Sequence, residues 1–189
     1  SNTTTNITQG AAYKGGCYFP DPSYRFGAKF DTYYKFCYGG IHRVNYVIEN
    51  TLKMIPNAKT EESKKKLETV IGEARLLRGM IYFRLISMWG DVPYIDHVVY
   101  NQTEMDKIVR TSIAKIKDYI IEDFNYAFEK LPIKSEQIGR ASKPAALAFK
   151  GKLELYWACW NHFGWPELDT FTPSEEEAKK AYKAAADDF

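Results

Sequence analysis

The chain has 189 residues, of which 45% are hydrophobic and 26% charged, and its net charge at pH 7 is +2. This length and composition are typical of one ordinary globular domain. The small net charge excludes a long-range attraction to nucleic acid or to an anionic membrane, and no uncharged apolar run reaches the length of a transmembrane helix.

Residues 1–30 show no sustained hydrophobic period. The first nine are polar and lack the apolar core of a secretory signal peptide. Turn-forming residues at Gly15-Gly16 and Pro20-Asp21-Pro22 alternate with aromatic ones. We therefore predict an irregular arm that is packed by its aromatic side chains.

A helical period begins near Asp31, where apolar residues start to recur every three or four positions. The pattern predicts a first helix that ends at Pro56-Asn57. Gly39-Gly40 inside this helix either weakens the pattern or marks a bend. The predicted apolar face consists of Cys37, Ile41, Val44, Ile48, Leu52 and Ile55.

A second helix is predicted from about Glu61 to Trp89, and Gly90-Asp91-Val92-Pro93 ends it. A third is predicted from Thr103, whose hydroxyl can cap the backbone, through to Leu131-Pro132. The predicted apolar face of the second helix consists of Leu67, Ile71, Ala74, Leu77, Ile81, Leu85 and Met88.

Two more helices complete the pattern. The fourth is expected to start at Ser142, as an N-cap with Pro144 in the first turn, and to end near Trp160. The fifth is expected to open at 172–175, which reads TPSE, with Thr172 as the cap, and to run to Phe189. We expect its alanine face to lack a partner within this sequence, as in a chain that is truncated at its C-terminal end. That face consists of Ala181, Ala184, Ala185 and Ala186, with Tyr182 beside it.

The spacing of these elements predicts an all-α fold. Helix starts near residues 31, 103 and 173 are about 70 residues apart, with a helix pair in each interval, and strand-like alternation is nearly absent. We predict a TPR-like α-solenoid of antiparallel helix pairs over residues 31–189, preceded by the arm at 1–30. The strict TPR signature is missing.

Four motifs, in one order along the chain, resemble those of the SusD/RagB family. The most specific is the stretch 73–85, EARLLRGMIYFRL, followed by WGDVP at 89–93. Ile41…Val44-Asn45 resembles the asparagine motif of the family's first helix. The other two are Ile116…Asp123-Phe124…Ala127…Leu131-Pro132 and the segment 139–146, GRASKPAA. The sequence departs from the family pattern at Ser142, Phe124 and Tyr94, and only Tyr94 bears on a ligand.

The resemblance covers about residues 31–189 and implies a cell-surface nutrient-binding protein of the outer membrane. It implies export, with a signal peptide and an acylated cysteine upstream of this sequence as the only membrane anchor. It also implies two partners, an oligosaccharide and a SusC-like TonB-dependent transporter that the protein covers as a lid. About half of such a protein, including much of its glycan site, would lie beyond Phe189.

Two loops carry the residue types that recognise sugars, which are aromatic faces for stacking and polar groups for hydroxyls. The first runs from Tyr94 to Gln102 and offers Tyr94, Tyr100 and Asn101; the second follows the fourth helix and offers Trp160 and Trp165. We predict these five residues as ligand contacts. The alternative for the second loop is that Trp157, Trp160 and Phe163 only pack the helices together.

No catalytic or metal-binding motif is present, and we predict neither an enzyme nor a cofactor. His42, His97 and His162 lack metal-ligand spacing, and Cys17, Cys37 and Cys159 form no CxxC pair. Cys37 and Cys159 are expected to be core thiols.

For Glu73, Arg75 and Arg78 we predict structural roles, because the family motif implies that they pin loops and neighbouring helices. Two other functions remain open. One is a TPR-like scaffold that binds protein rather than sugar. The other is a hydrolase whose paired carboxylates meet only in space.

Overall fold

The computed structural model describes residues 27–164 and 171–189. The predicted arm falls almost wholly outside these residues. Contacts divide the chain within its first helix, into one unit that ends at Tyr38 and another that spans Gly39–Phe189. All that follows concerns the second unit, except for the start of the first helix.

The first helix, α1, is Gly27–Met54, so it begins four residues before the predicted start. A single 3-10 turn, Ile55–Asn57, ends it at the predicted proline. The glycine pair does not break the helix. A Cβ atom at Gly40 would lie 3.0 Å from the Ile81 side chain, so this glycine permits close approach to the second helix.

Helix α2, Glu61–Trp89, starts where Thr60 accepts a hydrogen bond from the Ser63 backbone N–H. It runs antiparallel to α1, and the two share an apolar cluster. That cluster consists of Val44 and Ile48 from α1 and Ile71 and Ala74 from α2.

Some predicted core positions of α1 and α2 are wrong. Leu52 and Leu77 are half exposed, and Met88 is also exposed, whereas Tyr82 and Ile86 are fully buried. The reason is that α2 has neighbours on more than one side, so its buried surface is wider than a single stripe. Phe124 and Tyr156, from helices later in the chain, are among the side chains that reach it.

The predicted third helix is wrong as one continuous element. A short helix α3, Gln102–Met105, is capped by Asn101 rather than Thr103. A two-residue strand β2, Arg110–Thr111, then pairs antiparallel with β1, Val92–Pro93. Helix α4, Ile113–Lys130, follows. A residue far away in the sequence fixes its start, because the Ile113 backbone N–H donates to the Asp91 carboxylate at 2.8 Å.

Helix α5, Lys143–Phe163, has Pro144 in its first turn as predicted and extends three residues beyond Trp160. Ser142 stands at the N-cap position, but its side chain makes no capping hydrogen bond. Gly164, with φ of 71°, ends the helix, and its N–H donates to the Trp160 carbonyl.

Helix α6, Glu175–Asp188, is capped by Ser174 instead of Thr172, because the Ser174 hydroxyl accepts from the Glu177 N–H. The expectation that its alanine face lacks a partner is wrong for Ala181 and Ala185, whereas Ala186 and Tyr182 are exposed as expected. Ala178, Ala181 and Ala185 are buried against α5. Gly151 makes this approach possible, since a Cβ there would lie 3.3 Å from the Asp188 Cβ and 3.2 Å from the Phe189 ring.

The predicted all-α fold of antiparallel hairpins is confirmed. α2 packs on α4, α4 on α5 and α5 on α6. The β1–β2 pair is the only sheet that the structure describes. Among the described helices, none combines the length and apolarity needed to cross a membrane.

The tight α2–α4 contact gives a test of this packing. Replacing Gly79 with Ala would place a Cβ 2.6 Å from the fully buried Phe124 ring. We expect Gly79→Ala to lower the free energy of unfolding by about 1–2 kcal/mol, because overpacking outweighs the gain in helix propensity. A urea titration followed by circular dichroism measures it.

The matched control is Gly39→Ala, also inside a helix, where an added Cβ meets no atom within 4 Å. This variant should gain roughly 0.5–1 kcal/mol from helix propensity. A Gly79→Ala protein as stable as the parent would show that α2 and α4 are not this close.

Candidate functional site

The centre of the structure is a buried arginine. Arg78 in α2 is 5% exposed and donates from Nε and Nη2 to the two carboxylate oxygens of Asp123 in α4, each at 2.7 Å. Burial alone disfavours the charged guanidinium, but these bonds to Asp123 more than compensate and raise the pKa of Arg78 above its ordinary value. The pair is therefore a charge-assisted, two-point link between α2 and α4.

The same guanidinium also holds α1 and the loop that follows α2. Its Nη1 atom donates to the Asn45 side-chain oxygen at 3.0 Å and to the Asp96 carbonyl at 3.1 Å. Asn45, fully buried, donates in turn to the carbonyls of Ile95 and His97, each at 2.9 Å. Three helices and one loop thus meet at Arg78.

We call residues 94–102 the candidate loop. Besides Asn45 and Arg78, the side chains of Tyr82, Glu49 and Glu104 hold its backbone. The Tyr82 hydroxyl donates to the Ile95 carbonyl at 3.1 Å and accepts from the Ile95 N–H at 2.7 Å. The Glu49 carboxylate accepts from the Val98 N–H at 2.9 Å. The bond from Val98 is the main reason why the pKa of Glu49 is lowered.

The predicted contact residues in this loop differ in exposure. Tyr94 is half-buried, stacked on Tyr119 with ring centroids 4.3 Å apart and touching Tyr82 on another side. Tyr100 is 68% exposed and donates its hydroxyl to Glu49 at 3.0 Å. The geometry leaves Tyr100 far more ring surface than Tyr94 for a ligand.

Asn101 is exposed, but its side-chain oxygen is already used. It accepts from the Glu104 N–H at 2.9 Å and so caps α3. The other polar atom of this exposed side chain is the amide nitrogen, which can donate hydrogen bonds. The structure brings Tyr100 and Asn101 together as neighbours on one loop, and their contact with a ligand stays a prediction.

The second predicted loop is more involved in packing. Trp160 is partly buried, with its ring 5.8 Å from that of Tyr156 and 5.2 Å from that of Phe171. Trp157 is buried, as the packing alternative requires. Phe163 is 75% exposed, which the packing alternative does not predict. Trp165 lies outside the described residues, so its role stays a prediction.

The structural roles predicted for the charged motif residues are confirmed. The Arg140 guanidinium binds both carboxylate oxygens of Glu73, with Nε at 2.7 Å from Oε1. Arg75 lies over the Tyr126 ring at 4.3 Å and 3.8 Å from the Asp123 carboxylate. The sequence did not predict that three residues from separate motifs, Asn45, Arg78 and Asp123, contact one another. Each is a polar residue on an otherwise apolar helix face, and this pattern could have indicated the contact.

Two further chemistries can be assessed from the geometry. Among the described residues, no three His, Cys, Asp or Glu side chains are placed to hold a metal ion. Burial, and then the neighbouring Asp188, raise the pKa of Glu154 to about 7. This pair lies between α5 and α6 beside Lys150, with the Glu154 side chain 9% and the Asp188 side chain 13% exposed.

The candidate loop lies at the surface, with the Tyr100 and Asn101 side chains exposed. Open depressions occur elsewhere, and one lies between α2 and the 132–140 segment. Its lining is mostly charged and includes Lys65, Glu73 and Arg140. Such a lining lacks the aromatic faces that make the candidate loop suited to sugars.

Comparisons with known proteins identify the class. The helical hairpins form a TPR-like fold, and the family described as "Starch-binding associating with outer membrane" matches residues 6–155. The chain belongs to this SusD-like family. The crystal structure of a SusD-like carbohydrate-binding protein of Bacteroides fragilis is similar to this chain, with a TM-score of 0.59 and 26% sequence identity. The match covers 84% of this chain and 27% of that protein.

Two curated relatives agree. A SusD-like protein P2 of Formosa agariphila is 34% identical over half of this chain, and a SusD-like protein of Bacteroides ovatus is 33% identical over 67% of it. The matched parts are 19% and 22% of those proteins. The chain therefore spans about a fifth of the length of these relatives.

The buried network predicts a large effect from one substitution. Arg78→Met would leave the buried Asp123 carboxylate without its two-point partner, with only Arg75 near it at 3.8 Å, and would leave Asn45 without its donor. We expect a loss of about 3–5 kcal/mol in the free energy of unfolding, as when one partner of a buried ion pair is removed. Urea denaturation measures it.

Arg84→Met is the control, because Arg84 is an exposed arginine in the same helix. Its effect should stay within about 0.5 kcal/mol. Equal stabilities of the two variants would contradict the central role of Arg78.

Proposed function

We propose that this chain is part of a carbohydrate-binding protein and that the candidate loop contacts the sugar. The observation that carries this proposal is an exposed aromatic ring, Tyr100, on a loop whose backbone is held by side chains of α1 and α2. Rigid aromatic surfaces bind at low entropic cost, because less freedom is lost on association. Family membership and the description of the Bacteroides fragilis protein support the same function.

Within this proposal the predicted residues have different roles. Tyr100 supplies a face for stacking, and Asn101 supplies amide hydrogens for hydroxyl groups. Tyr94 acts mainly by packing against Tyr119 and Tyr82. Trp160 and Trp165 form a second, separate candidate contact. None of these roles requires a cofactor or a covalent step, so the proposal is a binding protein rather than a hydrolase.

The first test is direct. Tyr100→Ala should weaken oligosaccharide binding about tenfold, which corresponds to roughly 1.4 kcal/mol, because the stacking face is lost. Tyr100→Phe keeps that face and should cost less. A glycan array shows which oligosaccharides the whole protein binds. Calorimetry with a bound oligosaccharide, maltoheptaose being the first one tried, then measures the affinities of both variants.

Tyr33→Ala is the matched control, since Tyr33 is an exposed tyrosine outside both loops. Equal affinities of the parent, Tyr33→Ala and Tyr100→Ala proteins would exclude the candidate loop as the contact. A whole protein that binds no glycan on the array would contradict the proposed function and favour a protein-binding scaffold.

We also propose where the protein works and with what. The family's description as associating with the outer membrane supports a lipid-anchored protein at the cell surface. There it would pass captured oligosaccharide to a SusC-like TonB-dependent transporter. The small net charge is consistent with partners other than nucleic acid.

The expected outcome is that the tagged whole protein, purified from its own outer membranes in mild detergent, recovers a TonB-dependent transporter. An unrelated lipoprotein with the same tag should not recover it. Repeated purification of the tagged protein without any such transporter would contradict the handover role and leave sugar binding to be judged by calorimetry.

A further inference from the structure

One histidine of the candidate loop stands between two carboxylates. The Nδ1 atom of His97 lies 2.8 Å from an Asp96 carboxylate oxygen, and its Nε2 atom lies 2.8 Å from a Glu104 carboxylate oxygen. A neutral imidazole has one N–H and one lone pair, whereas the imidazolium has two N–H groups. Both contacts can therefore be hydrogen bonds only when the ring is protonated.

The second carboxylate connects this bridge to the residues proposed to bind sugar. Glu104 accepts from the Tyr100 N–H at 3.3 Å with its other oxygen. The Glu104 backbone N–H is the group that Asn101 caps. A bond from His97 to Glu104 therefore closes the segment 97–104 on itself, with Tyr100 and Asn101 inside it.

The charges around the ring favour the imidazolium. Asp96 and Glu104 face it directly, and the Glu49 carboxylate lies near it from α1. The guanidinium of Arg78, from α2, is bonded to the Asp96 carbonyl and to Asp123 instead. The hydrogen bond to Asp96, opposed by partial burial and reinforced by Glu104, raises the pKa of His97 above its ordinary 6.5.

We propose that His97 is a positioning residue, whose protonated ring clasps the candidate loop to α3 and so holds Tyr100 and Asn101 in place. When the ring loses its proton, one of the two bonds is lost and the segment 97–104 loosens. The clasp is a property of the free protein. It rests on the proposed function only in that the loop it orders is the proposed sugar surface.

The direction of the pH dependence follows from the two shifts. Because the pKa of His97 is raised, its contribution is complete below 6.5 and is lost as the pH rises through the raised value. The bond from His97 lowers the pKa of Asp96, so the contribution of Asp96 is present above 3.8 and is lost as the pH falls through the lowered value. The contributions of His97 and Asp96 are therefore both complete between pH 3.8 and pH 6.5.

The test is an NMR titration of the whole protein labelled at histidine Cε1, with the His97 signal assigned by its absence in His97→Gln. We expect a pKa above 6.5 in the parent and a shift to lower pKa in both Asp96→Asn and Glu104→Gln. Asp106→Asn is the control, because the Asp106 carboxylate is bonded to Gln102 and not to His97; it should leave the His97 pKa unchanged.

Hydrogen exchange supplies the second readout. After correction for the intrinsic rate, the Tyr100 amide should lose protection as the pH rises through the measured His97 pKa, and His97→Gln should remove that dependence. A His97 pKa at or below 6.5, or one that neither carboxylate variant lowers, would overturn the clasp. So would Tyr100 protection that is independent of pH. Both readouts need no ligand, so failure of the clasp is distinguishable from failure of sugar binding.

Discussion

The position of one guanidinium constrains much of this structure. Arg78 uses three nitrogen atoms to reach Asp123 in α4, Asn45 in α1 and the Asp96 carbonyl in the candidate loop. A buried ion pair of this kind contributes little net stability compared with a well-packed apolar group. Its effect is geometric, because a charged group with fixed donor directions leaves its partners few alternative positions. The packing of the helices therefore determines the backbone path of the candidate loop.

This dependence relates the fold to the proposed function. Loops of a repeated helical scaffold vary in sequence while the scaffold stays the same. Here the side chains of Asn45 and Tyr82 bind backbone atoms of Ile95 and His97, and Glu49 binds the Val98 N–H as well as the Tyr100 hydroxyl. A different loop sequence could accept the same bonds, while exposed positions such as Tyr100 are left to determine what is bound.

The sequence predicted the helices well and the connections between them poorly. The 3.6-residue period located α1, α2, α5 and α6 to within a few residues, because burial on one face is a local signal. It did not find the break at 106–112. There the N-terminus of α4 is bonded by Asp91, a residue 22 positions earlier, and β2 pairs with β1. Such bonds depend on tertiary contacts, which no local period encodes. The same holds for the meeting of Asn45, Arg78 and Asp123, although each residue was visible as a motif position.

The account is tested most directly by removing one of the loop's links to the network while leaving the ion pair intact. Asn45→Ala removes the two bonds to the Ile95 and His97 carbonyls and the bond that Arg78 donates to Asn45, and it keeps both bonds between Arg78 and Asp123. Hydrogen–deuterium exchange of residues 94–101, compared with that of α2 and α4, is the measurement. The account predicts faster exchange in the loop, at the Ile95 and Val98 amides, with α2 and α4 protected as in the parent protein. Unchanged loop exchange would show that the Asn45 bonds do not hold the loop and would contradict the account.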